Sequence, residues 1–336
     1  MKSLFFVSSP LEMICAIEAR KQFKTKDTIL VLYLFDVDKK IIEYIMSLDE
    51  KWPTIYKPFR SSINYGKKWV KLTNQLKKEK YHYFFSSGMT FSANLIYNIN
   101  YKELYFLDDG TLTLTNVAYF NEHGNLTKKL SLFPGHNKFK FKHKVNEAIH
   151  YLFGHKLRGK WNSLSLFTFF DIPKSNNIHI ARNELTWFHQ LKEKKVLKPT
   201  DDLVFIIGTP LVEVKIISKA YYHKLLQKIV THFSSKKIVY VPHRWEDKNN
   251  VSHLKSLFNF EVRFNKNIIE MDFLIESILP KHIAGTISTA LFTLKKLYPK
   301  ATIYNAAVDL DEVNPLNKEA VKAIKEHQKD LFKILN

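Results

Sequence analysis

The chain alternates between short apolar runs and longer segments in which apolar residues recur every three or four positions. In the N-terminal third, the apolar runs predict buried strands and the periodic segments between them predict helices. The predicted strands read SLFFV, TILVLYLF, YHYFFSS and ELYFLDDG, and the first two predicted helices read LEMICAIEARKQF and DKKIIEYIMSL. This alternation is typical of a parallel sheet covered by helices on both faces.

The same alternation returns in the second half of the chain. Its predicted strands read LVFIIGTP, KKIVYVPHR, HIAGTIST and ATIYNAAV, and the last twenty residues predict one amphipathic helix. The sequence therefore predicts an α/β protein with two Rossmann-like, doubly wound domains. We place them at residues 1–195 and 200–315, followed by a C-terminal helix at 316–336.

The middle of the chain breaks this pattern. Residues 134–160 are rich in Lys, Arg and His, carry Glu147 as their one acid, and include interleaved aromatic residues such as Tyr151 and Phe153. We predict an insertion at about 132–170 rather than further strands. The stretch suits contact with an anionic membrane surface, and it equally suits a solvated basic loop with a few packed aromatics.

Composition narrows the class of partner. The 336 residues hold 52 Lys and Arg against 32 Asp and Glu, a net charge of +20. This balance favours an anionic partner: nucleic acid, an anionic membrane or a phosphorylated substrate. Part of it reflects the Lys- and Asn-rich, Gly-poor composition expected from an AT-rich genome.

Cysteine usage and hydropathy indicate the compartment. The single Cys15 lies in an apolar helical pattern, so no disulfide within the chain and no cysteine zinc site is expected. No apolar run reaches 18 residues. We expect a cytoplasmic protein that is peripheral at the inner membrane.

Several well-known motifs are missing from the sequence. It contains no G-x-G-x-x-G loop, no phosphate-binding G-x-x-x-x-G-K-[ST] loop, no H-E-x-x-H and no G-x-S-x-G. Two D-x-D strings, at 36–38 and 309–311, suit either a metal on a diphosphate donor or polar turns after strands. We expect no metal and no cofactor.

Residues with chemical potential collect where predicted strands end. Ligands of open parallel sheets bind beyond the carboxyl ends of the strands, so these positions predict a substrate site. The predicted contacts are Ser8 and Ser9; Asp108, Asp109 and Gly110; Gly208, Thr209 and Pro210, with Glu213 behind them; Pro242, His243 and Arg244; and Gly285, Thr286, Ser288 and Thr289.

Each group has a chemical interpretation and a structural one. His243 beside Arg244 would place a proton donor and a fixed cation at a phosphate, or be a histidine held by backbone hydrogen bonds. The hydroxyl run ending at Thr289 would seat an anion or cap the helix that follows. Glu213 would be a general base or a solvated acid at a helix start. Asp108 and Asp109 would be a base or a polar turn.

The strings YFLDDGT, GTPLVE, YVPHR and GTISTALFTLKKLYP, in this order after the opening SLFFVSSPLEMICAIEA, carry a resemblance. Over residues 3–305 the chain resembles the bacterial lipooligosaccharide sialyltransferases, glycosyltransferase family 52. The resemblance implies a GT-B fold, in which two Rossmann-like domains face each other across a cleft. It also implies metal-independent, inverting transfer of sialic acid from CMP-sialic acid to a terminal galactose of a surface glycan.

The resemblance also implies roles for particular residues. His243 would act as general acid on the departing phosphate, and hydroxyls near Ser288 and Thr289 would bind that phosphate. Where the family has an aspartate after Gly-Ser-Pro this chain has Leu211, so the base is either Glu213, two residues on, or one of Asp108 and Asp109. Arg244 follows the histidine directly, a second departure. Domain-swapped dimers in the family make a homodimer an open alternative.

Other functions also fit the sequence. A GT-B enzyme could use a UDP-hexose or another CMP-activated sugar. A nucleic-acid-binding protein would suit the charge, but no recognisable binding motif accompanies it, so we expect no nucleic acid partner. A sugar-binding protein without activity would be expected to lack His243, which is present.

Overall fold

The computed structural model describes residues 2–57, 65–126, 148–157, 159–173 and 175–335. The chain divides into two compact units. The first comprises residues 1–129 and 136–187, and the second comprises residues 130–135 and 188–336. Each unit is a parallel sheet flanked by helices and is described by itself.

The first unit contains a seven-stranded sheet in the order β3-β2-β1-β4-β5-β6-β7, with every paired neighbour parallel. Its strands are β1 (Lys2–Val7), β2 (Asp27–Leu32), β3 (Thr54–Tyr56), β4 (Lys80–Ser86), β5 (Asn100–Leu107), β6 (Leu164–Thr168) and β7 (Ile178–Arg182). Its helices are α1 (Pro10–Gln22), α2 (Lys39–Ser47), α3 (Tyr65–Leu76), α4 (Met89–Ile96) and α5 (Leu112–His123). Helix α6 (Thr186–Glu193) spans the division between the units.

The second unit contains a six-stranded sheet in the order β10-β9-β8-β11-β12-β13, also parallel throughout. Its strands are β8 (Lys198–Ile207), β9 (Lys237–Val241), β10 (Glu261–Val262), β11 (Ile278–Gly285), β12 (Thr302–Ala306) and β13 (Lys333–Leu335). Its helices are α7 (Lys219–His232), α8 (Lys248–Phe258), α9 (Ile269–Ile275), α10 (Thr289–Leu297) and α11 (Lys318–Gln328).

Both sheets reverse their strand order at one place. The chain first winds outward in one direction and then returns to wind the other way, so β1 lies beside β4 and β8 lies beside β11. In chain order the second sheet reads 3-2-1-4-5-6, the doubly wound order of dinucleotide-binding folds. A crevice forms at the carboxyl end of such a switch point, and ligands of this fold bind there. The predicted α/β class with two Rossmann-like units is confirmed.

Local signals set the helix starts. Ser9, Ser218 and Asp247 are the N-caps of α1, α7 and α8, and each side chain accepts a backbone N–H from the first turn of its helix. Pro10 at the first position of α1 has the φ angle that a helix start needs and lacks the N–H that would be left unpaired. These caps fix where each of the three helices begins.

Two structural predictions from the sequence were wrong. The stretch assigned to an insertion contains β6, which pairs with β5 and β7 in the first sheet. The C-terminus is not one helix: α11 ends at Gln328, and β13 then pairs in parallel with β12. Phe332 and Leu335 are buried there, and both fit a helical period, so the apolar pattern hid the strand.

The basic stretch 134–160 lies partly outside the described residues, which resume at 148. Within the described ranges, no helix is long and apolar enough to cross a membrane. The longer segment of the second unit starts at Phe188, a few residues before the boundary expected between 195 and 200.

Candidate functional site

Three of the predicted motifs converge at the carboxyl edge of the second sheet. The loop after β8 begins at Gly208, the loop after β9 contains His243, and the loop after β11 leads into α10. Because β9, β8 and β11 are adjacent strands, these loops lie side by side at the switch point. The sequence separates them by up to about eighty residues, and the sheet brings them to one edge.

His243 is held in a fixed orientation by a tight turn. Its ring Nδ1 accepts the N–H of Trp245 at 3.2 Å, and its carbonyl oxygen accepts the N–H of Glu246 at 2.9 Å. A ring nitrogen that accepts cannot carry the proton, so a neutral His243 bears its proton on Nε2. The turn therefore presents the Nε2–H as a hydrogen-bond donor.

The electrostatics keep this ring neutral. Burial, and after it the charge of the adjacent Arg244, lower the pKa of His243 to about 3. The sequence suggested a histidine that titrates near neutral pH, and the burial of His243 shifts its pKa away from that range. A phosphate bound beside the ring would raise the pKa, because an anion favours the imidazolium.

Glu246 is the residue that closes the turn. Its carboxylate accepts the main-chain N–H of His243 at 2.5 Å and the hydroxyl of Tyr240. The Tyr240 hydroxyl lies 3.0 Å from that of Tyr222, which accepts the N–H of Thr209 at 3.3 Å. A hydrogen-bonded chain thus links the loop after β8, helix α7, strand β9 and the His243 turn.

Burial raises the pKa of Glu246 to about 7, and the nearby charge of Glu213 acts in the same direction. The hydrogen bonds from Tyr240 and from the His243 N–H favour the carboxylate and oppose this shift. Glu246 is therefore a carboxyl group whose pKa lies near neutral pH, in the same turn as His243 and three residues after it.

Gly208 leaves the space that Glu246 occupies. A Cβ atom at this position would lie 2.2 Å from Glu246 Oε2 and 2.7 Å from the Tyr240 hydroxyl. The sequence suggested that Gly208 contacts substrate; the structure gives it a packing role beneath the histidine turn. Gly285 is similar, since its Cβ would lie 3.1 Å from the carbonyl oxygen of Ile207 on the neighbouring strand.

Glu213 ties the loop after β8 to the start of α8. Its Oε1 accepts the N–H of Asp247 at 3.1 Å and the side-chain amide of Asn250 at 3.2 Å. Leu211, at the place where the resembled family has an aspartate, is buried in the core. The difference from the family at position 211 therefore has a structural explanation: in this protein the Leu211 side chain packs in the interior.

Arg244 acts electrostatically on the histidine turn and on Glu270 of α9. It is exposed, and its charge lowers the pKa of both His243 and Glu270. Glu270 is buried, which raises its pKa overall, and its carboxylate accepts the hydroxyl of Thr293 on α10. Arg244 is therefore a cation that acts on Glu270, the carboxyl group bonded to α10 at Thr293.

The N-terminus of α10 faces the same sheet edge. Ser288 is its N-cap residue, and within the described chain its side chain makes no capping hydrogen bond. Ser288 and Thr289 are partly exposed, whereas Thr286 is only 2% exposed, and its carbonyl oxygen accepts the side-chain amide of Gln328 at 2.9 Å. The contact predicted through the Thr286 hydroxyl stays a prediction, and the structure places this residue in the interior.

Burial divides the predicted site residues into two groups. Those with partly or fully exposed side chains are suited to contact a ligand, and the buried ones shape the loops. The first group is Ser9, Asp109, Thr209, Glu213, His243, Arg244, Ser288 and Thr289; the second is Ser8, Asp108, Gly110, Gly208, Pro210, Pro242, Gly285 and Thr286.

In the first unit, the two aspartates after β5 differ sharply. Asp108 is fully buried and its Oδ2 accepts the N–H of Phe169 at 2.8 Å; burial raises its pKa to about 7. Asp109 is partly exposed, and its N–H donates to the hydroxyl of Thr113 at 3.2 Å. Gly110 has φ of 62°, a conformation that favours glycine. Asp108 is thus a structural acid, and Asp109 is the carboxyl group at the surface of the strand end.

The serines after β1 bind to their own helix. Ser9 accepts the Glu12 N–H at 3.3 Å, and Ser8 donates both its N–H and its hydroxyl to the Glu12 carboxylate. Ser8 also lies 3.4 Å from the Ser87 hydroxyl at the end of β4, across the switch point of the first sheet. Glu12, which binds both groups of Ser8 and is completely buried, was not among the residues predicted from the sequence.

The D-x-D strings form local turns. Asp36 pairs with Lys39 at 2.6 Å, and Asp309 accepts the N–H of Asp311 at 3.1 Å. No cluster of three or more potential ligands for a metal occurs among the described residues.

Sequence reasoning also missed Glu246, Tyr240 and Tyr222. One signal was available: Glu246 follows His243 by three residues, the spacing that closes a turn. Its contact with Gly208 had no sequence signal, because the two residues belong to loops after different strands.

Comparison with known proteins gives the fold. No protein-family model and no curated protein matches the sequence. Two solved structures match at a TM-score of 0.50. One is Staphylococcus aureus MnaA with UDP, 12% identical, covering 98% of this chain and 89% of that one. The other, from Listeria monocytogenes, is assigned as a UDP-N-acetylglucosamine 2-epimerase; it is 11% identical and covers 97% and 86%.

A third structure, Escherichia coli heptosyltransferase WaaC with an ADP-heptose analogue, is 10% identical over 97% of this chain and 98% of that one. Its TM-score is 0.44. At these identities the likeness shows the fold alone: the chain has two Rossmann-like units of the GT-B class.

Proposed function

We propose that the protein is a glycosyltransferase that transfers sialic acid from CMP-sialic acid to a terminal galactose of a surface glycan. The observation that carries this proposal is the turn after β9 at the switch-point edge, where Nδ1 of His243 accepts the Trp245 N–H, so that a neutral ring bears its proton on Nε2, next to Arg244 in the chain. The GT-B fold and the resemblance of the strand-end motifs to family 52 support it.

In this proposal the second unit binds the nucleotide sugar. The Nε2–H of His243 donates to the phosphate of CMP as the bond from that phosphate to the sugar breaks. Arg244 and the N-terminus of α10, with Ser288 and Thr289, hold the same phosphate by charge and hydrogen bonds. Donors fixed where charge develops lower the barrier, because they need no reorganisation during the reaction.

We propose Asp109 as the base that removes the proton from the galactose hydroxyl. Asp108 is buried, and its carboxylate accepts the Phe169 N–H. The Glu213 carboxylate accepts two hydrogen bonds, from Asp247 and Asn250 at the start of α8. Asp109 and Glu213 are both partly exposed, and Asp109 is the one that closely follows a strand, β5. The galactose oxygen then attacks the anomeric carbon opposite the departing CMP, which inverts that centre.

The test is a mass-spectrometric transfer assay with CMP-sialic acid and a lactose-type acceptor, with and without EDTA. We expect sialylated lactose and free CMP in equal amounts, no effect of EDTA, and loss of product in His243→Ala. Correctly folded protein that forms no product and releases no CMP would overturn the donor assignment.

A different nucleotide sugar is the second candidate, because one structure with the same fold was solved with UDP. Running UDP-hexoses and other CMP-activated sugars in the same assay separates the two. Product from a UDP-sugar alone would replace sialic acid transfer with hexose transfer on the same fold.

A further inference from the structure

A helix in the first unit ends in a well-formed terminal turn. Residues 148–152 are helical, and Gly154 follows with φ of 71°. The N–H of His155 donates to the carbonyl oxygen of His150 at 3.0 Å, and the N–H of Gly154 donates to that of Tyr151 at 2.9 Å. This pair of bonds with a left-handed glycine is the Schellman motif, which ends helices in a defined conformation.

A buried histidine pair fastens this turn to the unit. His150 and His155 are 5% and 3% exposed, and their Nδ1 atoms lie 3.0 Å apart. The Nε2 of His155 donates to the side-chain oxygen of Asn74 on α3 at 3.0 Å. In Schellman motifs these two positions commonly make an apolar contact; here a hydrogen-bonded imidazole pair replaces it.

Asn98 holds the chain immediately after the turn. Its side-chain oxygen accepts the N–H of Lys156 at 2.8 Å, and its amide donates to the carbonyl oxygen of Lys156 at 2.7 Å. The segment 150–156 is therefore tied to the unit at both ends, through Asn74 and through Asn98.

Between these ties the chain displays three large apolar side chains. Tyr151, Leu152 and Phe153 are 51%, 84% and 59% exposed. Side chains held in water in this way contribute no hydrophobic free energy to folding. Consecutive exposed apolar residues of this size mark interaction sites. The three residues form what we call the apolar tip.

Charge around the apolar tip favours one kind of partner. Lys77 and Lys156 are exposed; Lys77 is close enough to lower the pKa of His155, and Lys156 is the residue that Asn98 holds. Glu147 is the only acidic residue in the sequence between Pro134 and Thr168. Apolar side chains flanked by cations match an anionic bilayer, whose headgroups attract Lys and whose interface accepts Leu, Phe and Tyr.

We propose that the apolar tip inserts into the interface of an anionic lipid bilayer, with the surrounding lysines on the headgroups. The rigid turn makes insertion inexpensive in conformational entropy, because the side chains are already presented. Binding of this kind is reversible and weakens with salt. It would hold the enzyme at a membrane surface where lipid-linked glycans are exposed.

The test is vesicle co-sedimentation of the full chain. No sugar donor is present, so the result does not depend on the proposed transferase activity. We expect binding to vesicles of phosphatidylglycerol and phosphatidylethanolamine, at least tenfold weaker binding to phosphatidylcholine, and weakening in high salt. The double variant Leu152→Ser/Phe153→Ser should bind at least tenfold more weakly.

The matched control is Val196→Ser/Leu316→Ser, which removes two equally exposed apolar residues elsewhere (89% and 76%). It should bind like the unmodified protein. Equal binding by the two double variants would overturn the proposal. So would a change of oligomeric state in the tip variant together with unchanged vesicle binding, since the tip would then join two copies.

A fluorescent label reports whether the apolar tip leaves water when the protein binds vesicles. Cys15 is buried, so a cysteine introduced at Leu152 is labelled selectively with an environment-sensitive fluorophore. We expect a blue shift and increased emission on adding anionic vesicles, and neither change for a label at Leu316. A label at Leu152 that stays in water while the protein sediments with vesicles would contradict insertion.

Discussion

The carboxylate of Glu246 accepts the main-chain N–H of His243 at 2.5 Å, and the N–H of Glu246 donates back to the His243 carbonyl oxygen at 2.9 Å. The two residues thus close a turn from both sides. Because the ring of His243 is also bonded within this turn, Glu246 orients the histidine without touching its ring nitrogens.

Replacing Glu246 with Ala should therefore lower kcat for transfer by about 10- to 100-fold, with the donor KM changed less than threefold. Glu246→Gln should retain most of the activity, since its amide oxygen accepts the same N–H. The checks are steady-state kinetics of both variants and ¹⁵N NMR of the imidazole. We expect the Nε2–H tautomer in the Gln variant and a tautomer mixture in the Ala variant. Equal loss in both variants would indicate that the charge of Glu246, not its position, matters.

Gly208→Ala should destabilise the second unit by about 1–3 kcal/mol, because the added methyl overlaps Glu246 and Tyr240. Denaturant unfolding measures the change. In a Glu246→Ala background the same substitution should cost less, since the nearer of the two clashing atoms is gone. Additive effects of the two substitutions would show that the contact between Gly208 and Glu246 does not carry the cost.

The pKa of Asp108 sets a pH dependence of stability. It rises from 3.8 to about 7 on folding, because burial disfavours the carboxylate. The stabilisation that protonated Asp108 contributes is fully present below pH 3.8 and is lost as the pH rises through 7.

Asp108→Asn removes this ionisation and keeps an acceptor for the Phe169 N–H. Relative to the unmodified protein, the variant should be more stable at pH 8 than at pH 5 by about 2–4 kcal/mol. Urea unfolding at both pH values, with Asp109→Asn as the control, measures the difference. A constant difference at the two pH values would show that Asp108 is ionised in the folded protein throughout.

The two candidate bases respond differently to removal of charge. Asp109→Asn should lower kcat by at least 100-fold while CMP-sialic acid still binds, since an amide cannot accept the hydroxyl proton. Glu213→Gln should stay within about fivefold, because its amide oxygen still accepts from Asp247 and Asn250. Calorimetric binding of CMP to each variant is the control for folding. The opposite ranking of the two variants would assign the base to Glu213.

The sequence by itself determined the class of fold and the edge at which to search for a site. Short apolar runs alternating with periodic segments allow little besides parallel sheets covered by helices, and polar residues placed after such runs must lie at the carboxyl edge. For this reason His243 and Asp109 could be placed at such an edge from the sequence. The strand β13 was not, since Phe332 and Leu335 fit a helical period as well as a strand.

Only the tertiary structure decided which of those residues are open to a ligand and what charge they carry. Asp108 and Asp109 are neighbours in the chain, yet one is buried and the other partly exposed. Gly208 and Glu246 are 38 positions apart and meet only because β8 and β9 are adjacent strands. Burial and long-range contact fix pKa values and positions, and neither quantity is a property of the local sequence.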